Sequence, residues 1–231
     1  MYEDDFHLPL AACWGDRSSG NREADDLISF IDIMPTILDA ANVPIPETVT
    51  GKSMMPIFMA TGSGLFDESR EYVLMGRENH DQGREGDKGY PVRCIRTQDF
   101  LYVRNFEPDR WPAGNPETGF TGCDSGPTKR TVLKNKENGE LQHFDLCFGK
   151  RPLEELYKMP EDHVCLNNLA DSAEHQSVKD SMWSTLEKEL KVQEDPRIFG
   201  KGDIFDSYPY VGDASHSWKR YESGNWEPQH Y

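Results

Sequence analysis

Apolar positions come in short bursts, each too brief for a long helix and bounded by proline, glycine or charge. The first burst, residues 6–14, reads as a short buried strand, with the polar stretch 15–21 as the loop behind it. Ile33, Ile37, Leu38 and Ala41 then recur at helical spacing. Asp32 stands where an N-cap belongs and Pro35 falls in the first turn, so a short helix is expected to end at Asn42, before Val43-Pro44. Residues 44–70 are rich in Pro, Gly and Ser and have no period, as in a surface connection between two regions.

Beyond that connection the period changes to that of strands. Residues 72–75 form a strand candidate, followed by a charged loop, 76–89, that holds four glycines. Residues 92–97 and 100–106 are β-type runs joined by Gln98-Asp99, which predicts an antiparallel hairpin. Residues 107–136 contain Pro108, Pro112, Pro116 and Pro127 among glycines and read as a long irregular segment packed by Trp111 and Phe120. Leu156-Tyr157 suggests a further strand. Asp171 and Glu174 resemble a capping box opening a helix with Val178, Met182, Leu186 and Leu190 on one face, which should stop before Pro196. The tail, 197–231, is aromatic and aperiodic, compatible with wrapping on the body or with partial disorder.

Charge narrows the partners. The 231 residues hold 41 acidic and 25 basic side chains, a formal net charge of −16, which disfavours binding of nucleic acid through its phosphates. The longest apolar stretch, 28–37, is broken by Asp32 and Pro35 and falls far short of the roughly 20 residues of a membrane span. No nucleic acid and no membrane is therefore expected as a partner. The acidic start, Tyr2-Glu3-Asp4-Asp5, lacks the basic-then-apolar order of a secretory signal, and localisation stays unknown. Cys13, Cys94, Cys123, Cys147 and Cys165 are an odd number without scaffold or zinc spacing and are expected to be mostly buried thiols. Arg93, Arg96, Arg104 and Arg110 crowd one stretch, but strand alternation sends Arg93 to the face opposite Arg96, so they cannot all serve one site.

Several strings, in order, resemble the C-terminal portion of sulfatases. They are residues 26–41 with Asp32-Ile33-Met34-Pro35-Thr36, the preceding His7-Leu8-Pro9-Leu10 with Trp14, and the following Val43-Pro44-Ile45-Pro46 and 51–56. The hairpin strings, Glu155-Leu156-Tyr157 and Asn168-Leu169-Ala170 are similar to the family's closing sheet and last helix. Residues 76–80 and 104–112 bring the resemblance nearest to bacterial heparan N-sulfatase-like members.

The resemblance implies an α/β fold: the end of an alkaline-phosphatase-like domain in residues 1–60, a smaller antiparallel sheet with a packing helix in 61–195, and an irregular tail, 196–231. It implies hydrolysis of sulfate esters or sulfamates of a sulfated carbohydrate by the parent enzyme, with calcium and a formylglycine as cofactors. The nucleophile and metal motifs lie upstream of this segment in the family, so the segment is expected to hold no catalytic or metal residue, to need the missing N-terminal sulfatase domain and to be inactive alone. Cys13 and Cys147 each precede an Arg at the family's separation, but with Gly where Pro or Ala belongs, and both are set aside. Asp4-Asp5 is read as a solvated acidic terminus. The expected substrate-binding residues are His80, Glu78, Arg77 and Asn79, on a loop after a strand, with His80 foremost because a protonated histidine can bond a sulfate or sugar oxygen. Asn79 stands where the family often has Arg. The alternative is a non-catalytic module that binds sulfated glycans or a protein partner. Residues 1–42 are also expected to leave an apolar patch uncovered.

Overall fold

The computed structural model describes residues 2–212 and 217–226. Its centre is a four-stranded antiparallel sheet in the order β1 (Val73–Arg77), β2 (Val92–Arg96), β3 (Phe100–Asn105) and β4 (Glu154–Lys158). The hairpin stands where the sequence predicts it. Thr97 closes its turn by exchanging hydrogen bonds with Phe100, with Thr97 N to the Phe100 carbonyl at 2.9 Å.

Strand alternation divides the core between the two faces of the sheet. One face sets Ile95, Tyr102 and Leu156 against Met182, Leu186 and Leu190 of a long helix, Gln176–Val192, which ends before Pro196 as expected. The helix does not open at Asp171: a 3-10 turn, Ala173–His175, precedes it, and Ser172 rather than Asp171 pairs with His175, at 3.0 Å. The other face buries Val92, Cys94, Leu101, Val103, Tyr157 and Met159, with Tyr2 and Phe6 packed on them.

Phe6 ends α1 (Glu3–Phe6), of which Tyr2 is the N-cap, so the expected strand begins in a helix instead. Three acidic residues fill its first turn, where the helix dipole favours them, and the Asp5 carboxylate accepts from Tyr2 N at 2.7 Å. Glu3 grips Arg96 through two bonds, 2.9 and 3.1 Å, while residues 7–14 form no ladder and leave Leu8 and Leu10 about half exposed.

α2 (Ile33–Ala40) follows a 3-10 turn and ends before Asn42, whose φ is +55°. Asp32 does not cap it through its side chain. Its buried carboxylate instead accepts from Ser29 N at 3.0 Å and Lys52 N at 2.8 Å, and pairs with Arg70 at 2.7 Å. Thr36 Oγ1 donates to the Asp32 carbonyl and accepts from Met54 N, so this motif fastens the connection to the helix. α2 buries Pro35 and Thr36, while Ile37 is 62% exposed and Phe30, just ahead of the helix, 67%. The connection contains a one-turn helix, α3 (Met55–Met59).

Residues 107–136 are irregular only as far as Gly126. Pro127 opens α4 (Pro127–Glu137), and α5 (Gln142–Phe148) returns beside it. Phe120, Phe144 and Phe148 are buried between them, with Trp111 against Phe120 at 6.0 Å between centroids, the packing role the sequence suggests for both aromatics. The long helix on the sheet is therefore α6, and α7 (Asp203–Asp206) and α8 (Trp218–Glu222) lie in the tail. Among the thiols, Cys94 and Cys165 are buried, Cys123 is half-buried, and Cys13 and Cys147 are exposed, so fewer are interior than expected.

Candidate functional site

β1 runs two residues further than expected, so Gly76 and Arg77 are strand residues paired with Arg93 and Val92. The loop begins at Glu78. A Cβ on Gly76 would stand 2.9 Å from Cδ of Arg93, and a Cβ on Gly89 would stand 2.4 Å from the Glu78 carbonyl oxygen, so glycine lets the two ends of the loop close on each other.

Glu78 is the fixed point of the loop. One carboxylate oxygen accepts from Arg93 Nη2 at 2.6 Å, and the other accepts from Arg197 Nη2 at 2.9 Å and Nε at 3.1 Å. Arg93 is shared with Asp195 at 2.6 Å, and Arg197 also lies 3.6 Å from Glu107. Arg93 and Arg197 are themselves buried, so these are desolvated pairs with their donors largely used. The structure therefore holds the Glu78 carboxylate inside an ion cluster.

Arg77, Asn79 and His80 are placed differently. His80 is exposed and makes no hydrogen bond or ion pair among the described residues. Asn79 is exposed and its side-chain oxygen faces Arg84 Nη1 at 3.4 Å. Arg77 is half-buried, has no carboxylate partner among the described residues, and its buried Nε finds no acceptor there. The buried hydroxyl of Tyr90, just past the loop, likewise has no hydrogen-bond partner among the described residues.

Arg84 adds a second cation without a paired carboxylate among the described residues. Its guanidinium, buried in the loop, donates to the carbonyls of Trp111 (2.8 Å), Pro112 (2.7 Å), Asp81 (3.2 Å) and Lys88 (3.4 Å), pinning the loop to the segment that follows β3. Burial lowers its pKa to about 10, with Arg77 and Arg110 adding to the effect, so it stays charged at neutral pH among other cations.

The tail completes the loop's surroundings. Asp206 accepts from Gly89 N at 2.9 Å and pairs with Arg110 at 3.1 Å; Tyr210 Oη reaches Asp81 at 3.4 Å; and Trp218 N donates to Asp87 at 2.6 Å. Sequence reasoning misses Arg197, Asp195 and Asp206, because charges in an aperiodic tail give no period to follow. The other arginines of the hairpin have carboxylate partners, Arg96 in Glu3 on the opposite face and Arg104 in Glu154 at 3.2 Å beside the ring of Trp183, although Arg96 Nη1 and Arg104 Nε are themselves buried without an acceptor among the described residues. Trp111 anchors the segment after β3, with Lys150 above its ring.

Among the described residues no group of three or more His, Cys, Asp or Glu side chains converges to hold a metal ion. The described residues therefore offer no such donor set for the calcium that the resemblance attaches to the parent. Nor is any helix of the described residues long and apolar enough to cross a membrane.

With that geometry in view, likeness to known proteins becomes informative. Residues 1–111 match the family model described as N-sulphoglucosamine sulphohydrolase, C-terminal. An ulvan-active sulfatase of Formosa agariphila is 27% identical over 188 residues, 81% of this chain and 34% of that protein. Arylsulfatase K of Xenopus laevis is 36% identical over 63 residues, 27% of this chain and 12% of that protein. The solved structure of a 2-O GAG sulfatase covers 79% of this chain and 27% of its own, at 16% identity and a TM-score of 0.44, a likeness too partial to carry weight. The chain thus spans about a third or less of the length of these curated relatives.

Proposed function

We propose, from the premise that this chain is the C-terminal part of a sulfatase, that it supplies the substrate-gripping rim of an enzyme acting on a sulfated glycan. Hydrolysis of the sulfate ester or sulfamate takes place on residues outside the chain, which is inactive alone. Arg77 and His80 face the anionic substrate. Glu78 holds the loop in place from behind, and Asn79 lies between them at the surface.

The observation that carries this reading is the unpaired cation. Arg77 is half-buried with no carboxylate partner among the described residues, so an anion at the rim would complete it, and it ends the strand that leads to His80. Arg84 adds charge without offering free donors, since its N–H groups are directed at backbone carbonyls. Together they favour a ligand group with negative charge and several acceptor oxygens, which a sulfate or sulfamate provides. The name of the matched family favours an N-sulfated glucosamine of the heparan type.

The exposed apolar residues Phe30, Ile31, Met34 and Ile37 are the surface on which the remainder of the parent enzyme packs in this reading. An apolar face of that kind is normally covered in a stable assembly.

The test is Arg77→Ala in the full-length parent, assayed on a heparin-derived oligosaccharide and on a small aryl sulfate. Loss of a charge-assisted contact made in both ground and transition states raises KM for the oligosaccharide about tenfold or more and leaves kcat nearly unchanged. The aryl sulfate, too small to reach the rim, is hydrolysed as before. Equal loss on both substrates, or none on either, removes Arg77 from the rim.

A further inference from the structure

The tail carries a dense set of aromatic side chains, of which Phe205 lies under the Arg197 guanidinium of the ion cluster, 5.6 Å from ring centroid to Cζ. Phe205 and Tyr208 meet edge to face at 6.0 Å. Trp218 and Tyr221 lie 5.0 Å apart, and Tyr221 meets the Trp226 ring edge-on at 6.1 Å. Tyr208 is 61% exposed and Tyr210 43%, although aromatic rings in a tail that folds onto a body ordinarily bury their faces.

These rings are fixed against one loop. Asp206, next to Phe205, holds Gly89 at the loop's far end; Tyr210 reaches Asp81, the neighbour of His80; and the backbone at Trp218 is tied to Asp87. Trp226 lies against Gly119, where a Cβ would come within 3.8 Å of its ring. The aromatic set therefore flanks the stretch that begins at His80, and short helices and hydrogen bonds order it in advance.

From this arrangement we propose that Tyr208, Tyr210, Trp218, Tyr221 and Trp226 form a sugar-stacking wall that extends the rim at Arg77 and His80 and takes the pyranose rings of a glycan chain. Pyranose C–H faces pack on aromatic rings, and tyrosine hydroxyls bond to sugar oxygens at little conformational cost. Charge on the ligand is not what such a wall reads. Recognition is divided, with Arg77 and His80 reading sulfate and rings in the tail reading the sugar backbone. The ligand class is then an oligosaccharide several units long rather than a monosaccharide. This inference rests on the rim reading for its position but not for its chemistry.

The experiment measures binding of the full chain to a heparin-derived hexasaccharide and to the same hexasaccharide fully desulfated, by intrinsic tryptophan fluorescence and by calorimetry. Unchanged is compared with Tyr210→Ala, Tyr208→Ala with Tyr210→Ala, and His80→Ala, each first checked for an unaltered melting temperature. The wall requires saturable binding of both ligands by the unchanged chain and about tenfold or greater weakening for both in the double tyrosine variant. The rim requires His80→Ala to weaken only the sulfated ligand. Tyrosine variants that bind as the unchanged chain does, or an unchanged chain that binds neither ligand, overturn the wall. Loss in the tyrosine variants with none in His80→Ala keeps the wall and overturns the rim. If Tyr208→Ala with Tyr210→Ala proves unfolded, Tyr210→Phe and Tyr208→Phe replace it: retained stacking keeps desulfated binding within about threefold, and its complete loss contradicts stacking.

Discussion

The carboxylate of Glu78 is held at 2.9 Å by the guanidinium of Arg197, across 119 residues of chain. The tail is therefore part of the candidate site's support, because the same carboxylate is gripped from the sheet by Arg93 at 2.6 Å. Replacing Arg197 with Ala leaves a desolvated carboxylate half-paired and should lower stability by about 3 kcal/mol, near the lower end for breaking a buried pair. Urea unfolding of the two chains measures this. Arg197→Lys should recover only part of the loss, since one ammonium cannot reproduce the Nε and Nη2 contacts. A change below about 0.5 kcal/mol would place the pair with exposed ion pairs of little consequence.

A second pair holds the N-terminal region together. Asp32 and Arg70 are both buried, 2.7 Å apart, and the Asp32 carboxylate also receives two backbone N–H groups. Asp32→Asn should cost about 3–5 kcal/mol, because it leaves Arg70 charged and buried with a weaker partner. Proteolysis in native conditions should then cut first within the connection, 44–70, whose anchor this is.

Gly89 gives a steric prediction. Any side chain there meets the Glu78 carbonyl at 2.4 Å, and the obstacle is backbone that cannot turn aside. Gly89→Ala should destabilise the chain by about 1–3 kcal/mol, the range for overpacking. It should also weaken glycan binding by displacing the loop, whereas Gly139→Ala, at a site with open space but a φ of +90°, should lower stability without touching binding.

Glu154 predicts how the fold responds to acid. Burial alone would raise its pKa, but the Tyr102 hydroxyl, donating at 2.7 Å, and the cations Lys179 and Arg104 outweigh burial and hold it below its ordinary 4.5. A carboxyl with a lowered folded-state pKa contributes stability that is present above the ordinary value and lost as pH falls through the lowered one. Glu154→Gln should therefore be less stable at neutral pH and show a shallower loss of stability below about pH 4.5, followed by melting temperature against pH. Parallel curves for the two chains would remove Glu154 from the acid response.

The sheet is legible in the sequence because residues 92–96 and 100–106 are rich in β-branched and aromatic side chains and the turn between them is short. α6 is equally legible, since Met182, Leu186 and Leu190 recur at helical spacing on the buried face. α4 is hidden because lysines take part in its packing: Lys136 lies 3.9 Å above the ring of Phe144, so a charged residue stands where an apolar one would mark the period. Residues 6–14 mislead in the opposite sense, being apolar enough for a strand yet without a partner to complete a ladder. In the site, the position of His80 after a strand can be read from sequence, but the commitment of Glu78 to Arg93 and Arg197 cannot. Contacts between residues so far apart in the chain leave no local pattern.

The central claim is that the end of β1 presents His80 to a sulfated glycan without taking part in the chemistry. Its most direct test is kcat/KM of His80→Ala in the full-length parent on a heparin-derived oligosaccharide, beside the melting temperature of the same protein. A lost charge-assisted hydrogen bond should cost about 1.5–3 kcal/mol, roughly 10- to 150-fold in kcat/KM, with the melting temperature unchanged. Wild-type kcat/KM in that variant, or a fall in melting temperature with the kinetics preserved, would contradict the account.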